Sequence, residues 1–312
     1  MVKVAVSGGT SSVAREVTEA IISHGHDVKI LSRERINYQD PKQLEQALQG
    51  VHTLLSFIVI TDDPSSTAQK NLIDAAIRSG VKRFAPSEWA TSSLECMPWY
   101  AFKEETRRYL EELNRDQTVL EYTLFQPGLF MNYLTHPFKS ADHLHQTELP
   151  FDFNNKRAIV PENYDQIYIT LTTVQDLAHV VAMAIIFEGK WPIVGGVKGT
   201  DISLQQLIAL GQKIRSPYGT DLGAGGEPFQ VETVKLHDLQ SKKWSASWTP
   251  KFSHPAIPPE FVSETLSKRV VSDMLLGMSA GCFKVSDEWN RLLEYESTPI
   301  EDFLLEAWSG KS

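Results

Sequence analysis

The sequence predicts an α/β protein whose core is a doubly wound parallel sheet, accompanied by a smaller α+β domain. Two observations support this prediction. Short apolar runs alternate with segments of helical periodicity throughout residues 2–125. In addition, the run at residues 53–60 is almost wholly apolar, as is typical of a strand that helices cover on both faces of a parallel sheet.

The first strand and the first helix have the clearest patterns. Residues 2–7 form an apolar run rich in β-branched side chains that two glycines end, and residues 11–24 carry apolar side chains at helical spacing. Later boundaries are marked by Pro41 before a helix and Gly80 after one. The predicted strands are residues 2–7, 28–31, 53–60, 83–85 and 120–125, and the predicted helices are residues 11–24, 42–48, 67–79 and 99–113.

The pattern loosens after residue 128, where proline, asparagine and glycine become frequent. A strand at residues 169–171 and a helix at residues 177–187 are predicted to return to the parallel sheet. A helix at residues 204–214 and a strand at residues 230–234 are assigned to the smaller domain. We therefore expect a first domain over residues 1–155 and a substrate-binding domain over residues 156–312, with residues 168–188 returning to the first.

Composition and charge limit the classes of function. The net charge of −9 over 312 residues, with lysine and arginine scattered along the chain, argues against nucleic acid and anionic membranes as partners. Two cysteines are too few for a disulfide framework, and the apolar runs are too short to cross a bilayer. His143 and His145 lack further metal ligands, so no metal is predicted. We expect a cytoplasmic monomer or homodimer that acts on a small molecule.

The turn after the first strand is the main candidate for ligand binding. A Rossmann-type domain binds a dinucleotide here, because the free N–H groups of the following helix can hold a pyrophosphate. The glycines that would follow Gly8 at three-residue steps are replaced by Ser11, which can still present its N–H and hydroxyl, and by Ala14. The predicted cofactor contacts are Gly8, Thr10, Ser11, Ser12 and Val13. The alternative is a plain turn in which Ser11 or Ser12 serves only as N-cap.

The residues after the second strand indicate which dinucleotide binds. A domain that prefers NADH carries an acidic side chain directly at this strand end, where it holds the ribose hydroxyls. Here the sequence offers Arg33, whose planar guanidinium suits a 2′-phosphate. NADPH is therefore predicted as the cofactor. In the alternative, Arg33 and Arg35 are solvated and Glu34 holds the ribose.

The helix predicted at residues 99–113 carries a polar edge beside its apolar stripe. Tyr100 and Lys103 are neighbours on this edge because they are three residues apart, and Arg107 continues it. A lysine beside a nicotinamide can hold the ribose hydroxyls and, with a pKa lowered by desolvation, exchange a proton with substrate. We predict Lys103 as a catalytic and cofactor-binding residue and Tyr100 as a candidate acid. The alternative is a solvated lysine on a charged helix.

Further candidates stand at the carboxyl ends of strands, where ligands of doubly wound sheets bind. Ser56 and Phe57 are predicted to face the cofactor, with loop packing as the alternative. Residues after the next strands are predicted to line the substrate cleft, and core packing is the alternative for each aromatic one. The predicted substrate residues are Glu88, Trp89, Phe125, Phe130, Met131, Tyr133 and Tyr168.

Several stretches together resemble the NmrA-like, isoflavone-reductase-type family of atypical short-chain dehydrogenases. They are Gly8–Gly9–Thr10, the run G-V-K-R-F-A-P-S-E at residues 80–88, Lys103 with the arginine pair at residues 107–108, and the run Q-P-G-L-F-M-N at residues 126–132. The resemblance implies an NAD(P)-binding Rossmann domain and matches Lys103 to the family's catalytic lysine. Tyr100 stands three rather than four residues before that lysine, so it does not match the usual tyrosine of short-chain dehydrogenases.

The resemblance also implies the class of reaction. We expect an NADPH-dependent reductase of secondary metabolism that transfers hydride to a conjugated C=C or C=O of an aromatic or polyketide-like small molecule. One alternative is a regulator that senses the dinucleotide without chemistry, in which Lys103 is dispensable. Another is an isomerase or dehydratase on the same fold, without net hydride transfer.

Overall fold

The computed structural model describes residues 1–59, 63, 65–216, 228–255 and 257–311. The last residue of the strand predicted at 53–60 lies outside the described residues. The strands are β1 (Lys3–Ser7), β2 (Asp27–Leu31), β3 (Thr53–Ser56), β4 (Arg83–Ala85), β5 (Glu121–Tyr122), β6 (Leu124–Gln126), β7 (Leu129–Phe130), β8 (Phe151–Asp152), β9 (Arg157–Pro161), β10 (Tyr168–Thr172), β11 (Val194–Gly196), β12 (Thr200–Ser203) and β13 (Gln230–Val234). The α-helices are α1 (Ser12–Ser23), α2 (Pro41–Ala47), α3 (Thr67–Arg78), α4 (Ala101–Leu113), α5 (Val174–Ile186), α6 (Leu204–Ile214), α7 (Leu236–Ser241), α8 (Glu264–Ser279), α9 (Glu288–Leu293) and α10 (Ile300–Trp308).

A parallel five-stranded sheet in the order β2-β1-β3-β4-β5 confirms the predicted fold class. Every residue of β3 is buried, as its apolar sequence predicts. Leu54 belongs to a core cluster with residues of α2 and α3, whereas Leu55 belongs to one with residues of α1 and α5. Helices therefore cover both faces of this sheet.

The strand predicted at residues 120–125 is divided in the structure. Thr123 separates β5, which pairs with β4, from β6, which pairs in parallel with β11. The Thr123 N–H still donates to Phe84 of β4 at 3.1 Å, so the division is a local change of direction. After Thr123 the chain therefore no longer pairs with β4 and pairs with β11 instead.

The segment predicted at residues 169–187 forms β10 and α5, and α5 begins three residues earlier than expected. Thr173 caps this helix, since its side chain accepts a hydrogen bond from the Asp176 N–H. Val180 of α5 and Val17 of α1 lie in one core cluster. The boundaries of the two domains stay a prediction.

Smaller mixed sheets and the C-terminal helices complete the fold. One sheet has the order β12-β10-β7 and the other β13-β9-β8. Sequence periodicity missed α8, because polar residues such as Ser272 and Asp273 stand on its buried face. Within the described ranges, no helix is long and apolar enough to cross a membrane.

Candidate active site

The glycine turn lies open at the carboxyl end of β1. Gly8 has a φ of +68°, a left-handed conformation that favours glycine. A Cβ atom on Gly8 would lie 2.6 Å from the carbonyl oxygen of Phe57 at the end of β3. Gly8 is thus required both for its backbone conformation and for this close approach.

Ser11 is the N-cap of α1, which was the alternative role for this residue, and its contact with the cofactor stays a prediction. Its N–H donates to Gly8 O at 3.1 Å and its Oγ accepts from the Ala14 N–H at 3.4 Å. Neither group is then left for phosphate in this conformation. The first helical residues, Ser12 and Val13, have no acceptor within the helix for their N–H groups, so these remain for an anion. Ala14 is fully buried in the core, which accommodates the methyl group that replaces the third glycine.

Arg33 follows β2 on the same edge and is exposed. It lies near the buried Tyr38, whose hydroxyl donates to Leu31 O at 2.8 Å. Burial raises the pKa of Tyr38 to about 12, while the nearby Ser7 hydroxyl and the Arg33 charge act in the opposite direction. Because Ser7 precedes the glycine turn, these contacts place the Arg33 charge beside the turn.

Lys103 of α4 is buried, with 7% of its surface exposed, so it is not a solvated helix residue. Its ammonium donates to Ser87 O at 3.0 Å and to Glu88 O, which ties α4 to the chain leaving β4. Desolvation lowers its pKa to about 8, although the Glu88 carboxylate raises it and Arg107 lowers it further. Near neutral pH this group can therefore both hold and release a proton.

Tyr100 lies against the same ammonium. Its ring centroid is 4.5 Å from Lys103 Nζ, a distance at which the cation is attracted to the aromatic face. Burial raises the pKa of the Tyr100 hydroxyl, which therefore stays protonated and can donate a hydrogen bond. The two catalytic candidates are thus brought together, with Tyr100 in the last turn before α4.

A groove of about 430 Å³ opens beside Tyr100, on the loop between β4 and α4. This volume is in the range of small-molecule sites. Its lining includes Ser92, Glu95, Pro98, Tyr100, Glu104 and Arg107. The sequence did not reveal these loop residues as a site, because residues 92–98 show no helical or strand periodicity. The serines at residues 92 and 93 and the proline at residue 98 indicate only a loop.

Glu88 is almost wholly buried and pairs with Arg107 across one side of this groove. Arg107 also reaches Thr91 O at 3.5 Å. Glu88 therefore does not present a free carboxylate to a substrate. Instead, its carboxylate neutralises Arg107 while its backbone carbonyl accepts from Lys103.

An aromatic column crosses the carboxyl ends of β3, β4 and β6. Trp89 lies between Phe57 at 4.3 Å and Phe125 at 5.4 Å, with ring planes within 7° of parallel, and Phe125 stacks in turn on Trp289 at 5.6 Å. The Trp89 indole N–H donates to Ser56 O at 2.7 Å. Phe57 and Phe125 thus take the packing role that was the alternative for each, whereas Trp89 is half-buried.

The side chain of Ser56 points away from this column. It is fully buried, and its hydroxyl donates to Gln69 Oε1 of α3 at 2.8 Å. The predicted contact of this side chain with the cofactor is thus not formed in this conformation. The cause is the alternation of side chains along β3, which sends Ser56 to the α3 face and Phe57 to the α1 face.

The remaining substrate candidates do not form one cluster. Phe130 and Met131 are buried in two different core clusters. Tyr133 is half-buried and contacts Phe130 edge-on at 5.9 Å. Tyr168 is 46% exposed at the start of β10, opposite Ser203, whereas Phe130 pairs with the other end of that strand. The sequence could not reveal the separation of Phe130 from Tyr168, because it depends on how β10 pairs with β7 and β12.

The residues at this edge fit a dinucleotide. The approach to Gly8 is free of a Cβ, the N-terminus of α1 supplies donors for a pyrophosphate, and Arg33 supplies a cation. Among the described residues, no group of three or more His, Cys, Asp or Glu is arranged to hold a metal ion.

Comparisons with known proteins agree with this geometry. Oxidoreductase swnN of Metarhizium robertsii (strain ARSEF 23 / ATCC MYA-3075) is 25% identical to this chain, over an alignment that covers 100% of this chain and 98% of that protein. NADPH-dependent quinone oxidoreductase QOR2 of Escherichia coli, solved with NADPH, is 17% identical with a TM-score of 0.66, over 98% of this chain and 99% of that one. AtPrR2, solved with NADP+ and (+)pinoresinol, is 15% identical with a TM-score of 0.68, over 98% of both chains. These two structures show a shared fold.

The comparison with protein families is more specific. The model of the NmrA-like family matches residues 2–209, which include the glycine turn, Lys103 and all five strands of the main sheet. The stretches that carry the resemblance in the sequence lie within this range. On this match, the chain belongs to the NmrA-like family.

Proposed function

We propose that this protein is an NADPH-dependent oxidoreductase that reduces a conjugated C=C or C=O of an aromatic or polyketide-like small molecule of secondary metabolism. The observation that carries the proposal is the buried Lys103 ammonium at the carboxyl edge of the sheet, near the groove beside Tyr100. The full-length relative named an oxidoreductase and the two solved structures with nicotinamide cofactors support it.

The chain's own groups have distinct roles in this proposal. The N–H groups of Ser12 and Val13 hold the pyrophosphate, and Arg33 holds a 2′-phosphate. NADPH, when bound, supplies the hydride. Lys103 holds a proton at Nζ and donates it to the oxygen on which negative charge develops, and Tyr100 is placed to orient the same ammonium.

The proposal is tested by binding and turnover together. Calorimetric titration with NADPH and NADH measures the cofactor, and consumption of NADPH with 9,10-phenanthrenequinone, chalcone and cinnamaldehyde measures reduction. We expect Lys103→Met to lower kcat by about 100-fold or more and, because Lys103 is also predicted to hold the ribose hydroxyls, to raise the Kd for NADPH by a much smaller factor. Arg108→Met, at an exposed position of the same helix, is the matched control and leaves both unchanged.

The pH dependence of kcat provides a second test of Lys103. The ammonium form donates the proton, so activity is present below the pKa of about 8 and falls as the pH rises through it. Lys103→Arg keeps a cation that can reach the same carbonyl groups and stays protonated. Its residual activity should therefore lack this fall, and an unchanged fall in the variant would assign the proton to another group.

A dinucleotide sensor without catalysis is the second candidate. The observation that favours it is that Lys103 donates to two backbone carbonyl groups, which is a structural role in itself. A sensor would bind NADPH with normal affinity, consume none with any probe and keep its NADPH Kd in Lys103→Arg. Turnover that depends on Lys103 excludes it.

A further inference from the structure

The two cysteines of the chain lie close to one another, and Cys96 stands between Glu95 and Met97, which line the groove. Cys96 is exposed on the loop between β4 and α4, and Cys282 is buried just after α8. The Cys282 thiol donates to Glu95 O at 3.5 Å, and this oxygen belongs to the peptide bond that leads into Cys96. By standard peptide dimensions, Cys282 Sγ therefore lies within about 6 Å of the Cys96 Cα.

The loop is already fixed to this position by its backbone. Ser92 donates to Cys282 O both through its N–H at 3.0 Å and through its hydroxyl at 2.8 Å. Cys96 itself has a φ of +64°, a left-handed conformation that a residue with a side chain seldom adopts. A disulfide requires residue 96 to turn its sulfur atom towards Cys282, and the strained φ of Cys96 leaves a lower-energy conformation for such a rotation.

The surroundings give the two thiols different access. Cys96 meets solvent; burial, Cys282 and Glu95 raise the pKa of its thiol, and the ammonium of Lys242 acts in the opposite direction. Cys282 is 1% exposed and has contact with the loop but not with bulk solvent. An oxidant in solution therefore reaches Cys96 first, and Cys282 is the thiol positioned to react next.

We propose that Cys96 and Cys282 are a modification site at which hydrogen peroxide forms an intramolecular disulfide. In the first step the Cys96 thiolate attacks one peroxide oxygen, the O–O bond breaks, and Cys96 becomes a sulfenic acid; the hydroxide that leaves takes up the proton that the thiol had released and becomes water. In the second step Cys282 sulfur attacks the Cys96 sulfur, the S–OH bond breaks, and the hydroxide leaves as water with the Cys282 proton. Two electrons pass in total from the two sulfur atoms to one peroxide.

The disulfide would join the loop that lines the groove to the end of α8. Because a long stretch of chain separates the two residues, closing it constrains the unfolded state strongly. Oxidised protein should therefore unfold at a temperature several degrees higher than reduced protein. This inference does not depend on the proposed reductase activity, since its readouts are covalent structure and thermal stability.

The test treats reduced, full-length protein with hydrogen peroxide at mildly alkaline pH, then labels thiols with N-ethylmaleimide in denaturant for intact-mass measurement. We expect two labels before oxidation and none after it, a mass lower by about 2 Da, and recovery of both labels with dithiothreitol. Peptide mapping of the wild type alone should show one crosslinked peptide containing both cysteines. This measurement decides the matter even where a cysteine variant folds poorly.

Matched variants separate the outcomes. Cys96→Ser should leave Cys282 fully labelled after peroxide, because the exposed thiol that starts the reaction is gone. Cys282→Ser should instead leave Cys96 as sulfinic or sulfonic acid, or as a dimer joined between chains. Wild-type protein that behaves like Cys282→Ser, with oxygen added to Cys96 and Cys282 still labelled, overturns the proposal. So does a disulfide that appears only between two chains on a non-reducing gel.

Discussion

At the scale of the residue, Gly8 combines two separate demands that can be measured apart. Its left-handed backbone disfavours any side chain, and the Phe57 carbonyl occupies the position of a Cβ. Gly25 has a similar φ of +79°, yet a Cβ there would meet nothing within 4 Å. The two positions thus share the backbone cost but not the close approach.

We expect Gly8→Ala to weaken NADPH binding by at least about tenfold, because the turn must move away from β3 and misplace the donors of α1. Gly25→Ala should cost only the strain of its φ, about 1 kcal/mol of unfolding free energy, and leave NADPH binding intact. Calorimetric titration and urea unfolding of both variants make the comparison. Equal NADPH affinity in the two variants would remove the turn from the cofactor site.

Arg33 decides the proposed preference for NADPH. Removing a bidentate charged contact with a 2′-phosphate should weaken NADPH by about 10- to 100-fold and leave NADH unchanged in Arg33→Ala. Arg35→Ala, another exposed arginine of the same loop, is the control and should change neither. A parallel loss for both cofactors in Arg33→Ala would contradict the assignment.

At the scale of the element, α4 and the end of β4 are joined by two charged contacts. Lys103 reaches the backbone of residues 87 and 88, and Arg107, one helical turn later, reaches the Glu88 carboxylate. The side chains of Arg107 and Glu88 are only 14% and 2% exposed, so water does little to screen the pair. These contacts fix the position of α4 relative to the end of β4, and so they fix the side of the groove that Arg107 lines.

Arg107→Met leaves the Glu88 carboxylate buried with only the Lys103 ammonium nearby. The free energy of unfolding should fall by about 3–5 kcal/mol, measured by urea denaturation. The double variant Glu88→Gln with Arg107→Met should recover part of this loss, because the unpaired carboxylate is gone, although Lys103 then loses the charge that stabilises its ammonium. Arg291→Met breaks an exposed pair with Asp287 and should cost less than about 1 kcal/mol. A loss in Arg107→Met no larger than in Arg291→Met would show that Glu88 is not desolvated.

At the scale of the whole molecule, the C-terminal part of the chain is held to the first half through Asp176. This buried carboxylate at the start of α5 accepts from Tyr295 Oη at 2.8 Å, from the Thr298 N–H at 3.1 Å and from the Thr173 hydroxyl at 2.6 Å. Asp176 therefore connects the segment before α10 to a helix that packs on α1.

We expect Asp176→Ala to lower the unfolding free energy by about 3 kcal/mol, because it leaves several buried donors without an acceptor. Asp287→Ala, at a half-exposed carboxylate close in sequence to this segment, is the comparison and should cost less than about 1 kcal/mol. Urea denaturation followed by circular dichroism measures both. If the two losses agree, the C-terminal segment is held by other contacts.

The first half of this fold could be read from sequence because local patterns decide it. The alternation of apolar strands and amphipathic helices around Gly8 and Gly80 gave the parallel sheet, and the helix carrying Lys103 followed from its spacing. Strands of two or three residues such as β7 and β11 have no period long enough to detect. Their positions depend on partners distant in sequence, namely β10 and β6.

The site was predictable in position but less so in side-chain direction. Lys103 and Tyr100 could be paired because helical spacing fixes their proximity. The direction of the Ser56 side chain depended on which face of the sheet each residue of β3 points to. The burial of the Glu88 carboxylate depended on its ion pair with Arg107 of α4. Tertiary contacts of this kind leave no trace in a single sequence.

The aromatic column at the sheet edge gives the molecule an optical property. Trp89 is stacked between two parallel rings and donates to the Ser56 carbonyl, on the strand ends next to Gly8. Indole emission overlaps the absorption band of a reduced nicotinamide, so excitation energy would pass from Trp89 to NADPH bound at the turn. Trp89 is thus a donor chromophore that belongs to the protein, and the part of the energy transfer that disappears in Trp89→Phe would report on the cofactor without any added label.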